Sequence, residues 1–263
     1  MSDHEPMGES SGQQTALAPR RREPRPPRST ARRITYWVGI GMILAGLALL
    51  GYVAWQLWGT NWVSKRHQRA ITHQLQEDWA AGQGCDKFCP EGKASALIRI
   101  PKFGKKYVVP VLEGAADGTI SGDILSKGYG HFALGLPGGG AAKPGEIGNY
   151  ALAAHRVTHG EPLRHLPDLR PGDEVIVETR TTRFIYVLDT DPNKLVIPFT
   201  ETWVLDPVPH NPDAGEPEPK QAKGQRLITL TTCSEIFHTD NRMIAFGHLK
   251  TVQSKTVPKK PAG

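Results

Sequence analysis

The hydrophobic pattern changes period twice along the chain. Residues 34–58 read ITYWVGIGMILAGLALLGYVAWQLW, without a charge and with Gln56 as the only amide. A helix rises about 1.5 Å per residue, so about 20 apolar residues cross a hydrocarbon core. This stretch is expected to span a membrane. Tyr36 and Trp37 at one end and Tyr52, Trp55, Trp58 and Trp62 at the other fit interfacial aromatic belts. A cleaved secretory signal is the rival reading. Its apolar region would be shorter, about 7–15 residues, and nearer the N-terminus, so an uncleaved anchor is favoured.

The period then becomes helical and amphipathic. Ile71, Leu75 and Trp79 stand at i, i+4 and i+8, and Gly82 and Gly84 stop the pattern. This predicts a stalk helix that packs on the following domain or lies at the membrane surface.

From Ala94 the pattern turns to short apolar runs between Gly, Pro and charged turns. Eight segments rich in Val, Ile, Tyr and Thr read as strands: ALIRIPKF, YVVPVLEG, NYALAAHR, DEVIVETR, TRFIYVLDT, ETWVLDP, QRLITLTTC and RMIAFGHLKTV. Short helices are expected only near TISGDILSKG and EPLRHLPDL. Many short strands with such turns predict an all-β barrel or sandwich rather than a parallel α/β sheet. Residues 207–225 hold five prolines and no apolar period, which predicts an exposed loop. The expected organisation is a basic, disordered leader (1–33), an anchor (34–58), a stalk (59–93), a β-domain (94–252) and a loose tail (253–263).

Charge refines the topology. The net charge of +6 invites a nucleic-acid reading. Its distribution argues against one: residues 1–33 carry seven arginines against four acids in a Pro-rich leader. Lys65, Arg66 and Arg69 follow the anchor as a smaller cluster. The larger basic cluster stays cytoplasmic, so the β-domain is expected outside. Disulfides persist there. Of the three cysteines, Cys85 and Cys89 are close enough for a local disulfide, the preferred reading over a metal site that would need further ligands.

Cys233 is then left over, at the end of LITLTTC and before the polar SEIFHTDN. Two readings stand: a half-buried thiol acting as a small hydrophobe, or a nucleophile fixed at a strand end. A thiol near pKa 8.5 needs a partner to be reactive at neutral pH. His155 ends the run NYALAAHR, the same strand-end placement, and could equally be structural. Arg242 opens the last strand, nine residues after Cys233. It could donate to a developing oxyanion, or pair with Glu235 or Asp240. His131 and His159 lie near these segments and read as secondary.

Together the three are more specific than any one. TLTTC (229–233), the His in NYALAAHR and the Arg in DNRMIAFG resemble the signature of the sortases, membrane-anchored cysteine transpeptidases. The preceding GYGHFALGLPGGG and GEIGNYALAAHRVTHGEPL are similar to the class E sortases of actinobacteria. The resemblance covers about residues 94–252 and implies the eight-stranded sortase β-barrel. It implies Cys233 as nucleophile, His155 as general acid and base, Arg242 as substrate or oxyanion stabiliser, and Thr231 and Thr232 beside the sorting-motif groove. The implied partners are secreted proteins with an LAxTG- or LPxTG-like motif, cut between Thr and Gly, a peptidoglycan-precursor amine as acceptor and the lipid bilayer, with no nucleic acid. No cofactor and no metal cage is expected. A non-catalytic binding barrel, or a hydrolase that passes its acyl group to water, are the competing functions.

Overall fold

The computed structural model describes residues 30–85, 89–115, 119–132, 142–213, 215, 217–235 and 240–256. The expected disordered leader falls almost wholly outside them, as do His238 and the residues after 256. The chain divides into two units, residues 1–49 and residues 50–263. The first holds most of α1 (Thr30–Ala54), a helix with no buried residue that is long and apolar enough to cross a membrane. This fits a single-pass anchor. A π-helical turn (Trp55–Gly59) and α2 (Thr60–Ala80) follow.

The second unit is a β-barrel. Its strands are β1 (Ala94–Arg99), β2 (Val109–Glu113), β3 (Tyr129–His131), β4 (Gly148–Ala153), β5 (Glu174–Glu178), β6 (Thr182–Leu188), β7 (Val196–Pro198), β8 (Arg226–Cys233) and β9 (Asn241–Ser254). Their order is β6-β5-β1-β2-β3-β4-β8-β9, and a β6–β9 ladder closes the ring. Eight strands therefore form the closed barrel, and β7 adds a short ninth strand to the start of β9. Closure removes the open edges on which sheets otherwise associate. The β4–β8 and β2–β3 ladders are parallel and the rest antiparallel. The expected short helices are α3 (Gly122–Lys127) and a 3-10 turn at Leu166–Asp168.

The core follows from pleat alternation. In β4, Tyr150 and Leu152 point inward with Ala154 just beyond. In β8 Ile228 and Leu230 do so, and in β9 Met243 and Ala245. Each large apolar side chain buried this way contributes about 1.5–3 kcal/mol of transfer free energy. The opposite face of the same strands is partly covered: Leu195, Val204, Ile244 and Phe246 form a second cluster with Ile197, Trp203 and Leu205.

Three elements differ from the pattern-based expectation. ETWVLDP is not a strand but a 3-10 turn over Trp203–Leu205. Its apolar side chains pack onto Ile244 and Phe246, and the Asn149 amide takes the Val204 and Asp206 carbonyls, at 3.0 and 3.1 Å, that a ladder would have used. Conversely, β3 and β7 are strands of three residues, too short to show a period. Within β3, a Cβ on Gly130 would lie 2.4 Å from Ile120 Cγ2, so the close packing of α3's approach segment requires glycine there.

The stalk helix packs on the barrel. Leu75 and Trp79 bury against Leu97, as the stripe predicts, and the Lys255 ammonium sits 4.4 Å from the Trp79 ring centroid. Cys85 and Cys89 are joined in a disulfide, leaving Cys233 free.

Candidate active site

The site lies at one end of three adjacent strands. In β8, Thr229, Thr231 and Cys233 share the outer face, because Ile228 and Leu230 occupy the core. β9 runs antiparallel beside it, and Cys233 is the direct register partner of Arg242. Paired residues of an antiparallel ladder point to the same face, so the thiol and the guanidinium stand side by side. β4 runs parallel on the other flank, with Ala153 opposite Thr231. Beyond the ladder, the Ala154 amide donates to the Thr231 carbonyl at 3.2 Å, and the Thr232 hydroxyl donates to the Ala154 carbonyl at 2.7 Å. His155 comes next. It stands two residues past the end of β4, near enough to Arg242 for that charge to act on its ring.

Of the residues singled out in the sequence, Cys233 and Arg242 are thus adjacent, and His155 lies within the field of Arg242. Cys233 is half-buried. Arg242 donates Nη1 to its neighbour's carbonyl (Asn241, 3.2 Å), with its guanidinium carbon 5.8 Å from the exposed Phe199 ring. Thr231 lies on the nucleophile's face, whereas the buried Thr232 turns inward and commits its hydroxyl to Ala154. Cys85 and Cys89 belong to the connection between α2 and β1. His131 is part of another cluster: its Nδ1 lies 2.7 Å from Glu113, and its ring packs on the buried Tyr150.

The electrostatics of His155 are distinctive. Burial, then His159 and Arg242, push its pKa down to about 4. The imidazole is therefore neutral at pH 7. His159 stacks on it with ring centroids 4.6 Å apart and planes at 27°.

Two further sets of residues reach this place. Arg156 donates Nη2 to the Ser234 carbonyl at 2.7 Å, tying the residue after His155 to the residue after Cys233. From α2, Asn61 and Gln68 bond the backbone of residues 157–160. Arg156 was legible as the neighbour of His155. The α2 residues were not, because nothing local links positions nearly a hundred residues apart. Among the described residues no cluster of three or more metal-ligating side chains is present.

A family model described as the sortase domain matches residues 98–250. Sortase SrtE1 of Streptomyces coelicolor is 35% identical over 230 residues, 86% of this chain and 60% of that protein. The chain therefore spans about 60% of that relative's length. Sortase SrtE2 of the same organism is 28% identical over 90% of this chain and 91% of its own. Sortase E from Streptomyces avermitilis superposes with a TM-score of 0.50 at 37% identity, covering 63% of this chain and 93% of that one. The matched region holds most of the closed barrel together with Cys233, His155 and Arg242, and the chain belongs to the sortase family.

Proposed function

We propose that this chain is a membrane-anchored cysteine transpeptidase that attaches secreted proteins to the cell wall. It cuts a C-terminal LAxTG- or LPxTG-like motif between Thr and Gly and transfers the threonine acyl group to an amine of a peptidoglycan precursor. The observation that carries this reading is the register pairing of Cys233 with Arg242, with His155 close enough to Arg242 for its charge to act on the imidazole. The LAxTG-like preference is an expectation from the resemblance to class E sortases.

The mechanism follows from the site. Neutral His155 accepts the Cys233 thiol proton as sulfur attacks the threonine carbonyl carbon. The resulting oxyanion is stabilised by Arg242, a fixed cation on the same face. His155, now protonated, delivers that proton to the glycine nitrogen as the Thr–Gly bond breaks, leaving a thioester on Cys233. The incoming amine attacks the thioester, His155 removes its proton, and Cys233 leaves as thiol. Thr231 lines the approach to Cys233, and Thr232 fixes the spacing between the strand ends.

In this reading residues 34–58 anchor the protein, the arginine-rich leader is cytoplasmic and the barrel works outside. The test is peptide cleavage by the full chain and by Cys233→Ala, with LAxTG and LPxTG peptides and an added amine. Loss of at least about a thousandfold in turnover, with a thioester adduct only on the unsubstituted chain, is expected. Unchanged turnover in Cys233→Ala overturns the reading. Release of only the free acid, despite excess amine, would make the enzyme a hydrolase.

A further inference from the structure

We propose that α2 is a positioning element of the active site: Asn61 and Gln68 lock the backbone of residues 157–160 and, through the His159 ring, orient His155. The inference rests on the acid–base role just proposed for His155.

The buried face of α2 is unusual. A helix packing on a barrel is expected to present an apolar stripe. The last two turns of α2 do so with Leu75 and Trp79, but the preceding turns bury Asn61, Ser64, Gln68 and Thr72. Two of these polar groups have specific partners. Asn61 Oδ1 accepts the Gly160 amide at 2.8 Å, and its Nδ2 donates to the Val157 carbonyl at 3.2 Å. Gln68 Nε2 donates to the His159 carbonyl at 3.2 Å.

The segment they hold has a backbone that would not persist unaided. His159, Gly160 and Glu161 have φ of 53°, 83° and 49° in succession. Non-glycine residues in this region persist where surrounding contacts over-determine them. Those contacts come from α2. A Cβ on Gly160 would lie 2.3 Å from Gln68 Nε2, so the loop is pressed against the helix. Lys65 pairs with Glu161 at 2.9 Å, and Arg164 pairs with the same carboxylate. The result is that the His159 ring stacks on His155, while the Leu163 amide returns to the His155 carbonyl at 3.0 Å. The charged and titratable groups facing His155 are His159 from its own loop, Arg242 from β9 and, in the proposed mechanism, the Cys233 thiol from β8. Lys65, Glu161 and Arg164 lie behind His159.

Full-length protein in detergent micelles, assayed with a sorting-motif peptide, tests this. Asn61→Leu and Gln68→Leu are expected to lower kcat roughly 10- to 100-fold, the size of effect that a misplacement of about 1 Å produces. KM should stay within about twofold. The acidic limb of kcat/KM should move to higher pH as His155 escapes the His159 field. Asn61→Asp, which keeps an acceptor for the Gly160 amide, should recover part of the loss. Thr72→Val, on the same buried face, should leave kcat unchanged. Unchanged kcat in both leucine variants overturns the proposal, as does a loss that only follows the fraction unfolded in thermal melts. If the unsubstituted chain shows no Cys233-dependent turnover, the catalytic reading fails and this one with it. Turnover in the unsubstituted chain with equal kcat in the variants removes only the role of α2.

Discussion

Cys233 and Arg242 are register partners across β8 and β9, so the thiol and the guanidinium share one face of one ladder. They stand nine positions apart in sequence, yet the antiparallel pairing of β8 with β9 places them directly opposite. An antiparallel pair fixes this neighbourhood to within about 4.5–5.5 Å between Cβ atoms. A strand slip of one residue would send one of them to the barrel core.

Arg242→Ala should lower kcat/KM about 10²- to 10³-fold, the usual loss on removing an oxyanion donor. Arg242→Lys should restore little, since an ammonium does not reproduce the planar fork of donors. Steady-state kinetics on both variants provide the check. A lysine variant with full activity would show that charge alone suffices.

His155 should make the fold acid-sensitive. Its folded pKa of about 4 lies below the ordinary value of 6.5, so the unfolded chain binds the extra proton. Stability from this group is complete above about pH 6.5 and is lost as pH falls toward 4. The contribution is about 2–3 kcal/mol, since each pKa unit corresponds to about 1.4 kcal/mol. Urea denaturation at pH 7 and pH 4 should show the unsubstituted chain losing that much more than His155→Asn. Equal losses would contradict the depressed pKa.

Thr232→Val removes the hydroxyl that donates to the Ala154 carbonyl. The two side chains are nearly isosteric, so the main loss is one buried hydrogen bond, about 1–2 kcal/mol. A fall of a few degrees in melting temperature should accompany reduced turnover, because Ala154 precedes His155. Unaltered melting would indicate that the bond contributes nothing net.

Asn149 is fully buried, binds two carbonyls of the covering 203–206 segment and accepts the Thr229 hydroxyl at 2.8 Å. Asn149→Ala strands the Asp206 carbonyl and leaves Thr229 and the Val204 carbonyl only their 3.3 Å bond to each other, and should cost about 2–4 kcal/mol. Hydrogen exchange should then quicken in residues 195–206 before the rest of the barrel. Uniform change across the barrel would argue against a local tie.

Much of the architecture was legible because it is written in local periods. The charge-free run predicted a helix, which is α1. The Leu75–Trp79 stripe predicted the apolar end of α2, and alternating β-branched segments predicted most of the barrel. The failures are equally physical. A three-residue strand such as β3 or β7 is too short to show a period. ETWVLDP has strand-like composition, but its carbonyls are claimed by Asn149, a side chain more than fifty residues away.

The sequence by itself determined the chemistry available: one unpaired thiol, a strand-end histidine, a strand-end arginine and an apolar helix ahead of them. Tertiary structure decided how those groups are tuned. The register opposing Cys233 to Arg242, the burial that depresses His155 and the polar end of α2 bracing the His159 loop all join residues that are distant or unpatterned in the chain. Hydrophobic periodicity is a property of neighbours in sequence. Ladder register, desolvation and hydrogen bonding to a remote backbone depend on which surfaces meet, and only the closed barrel brings them together.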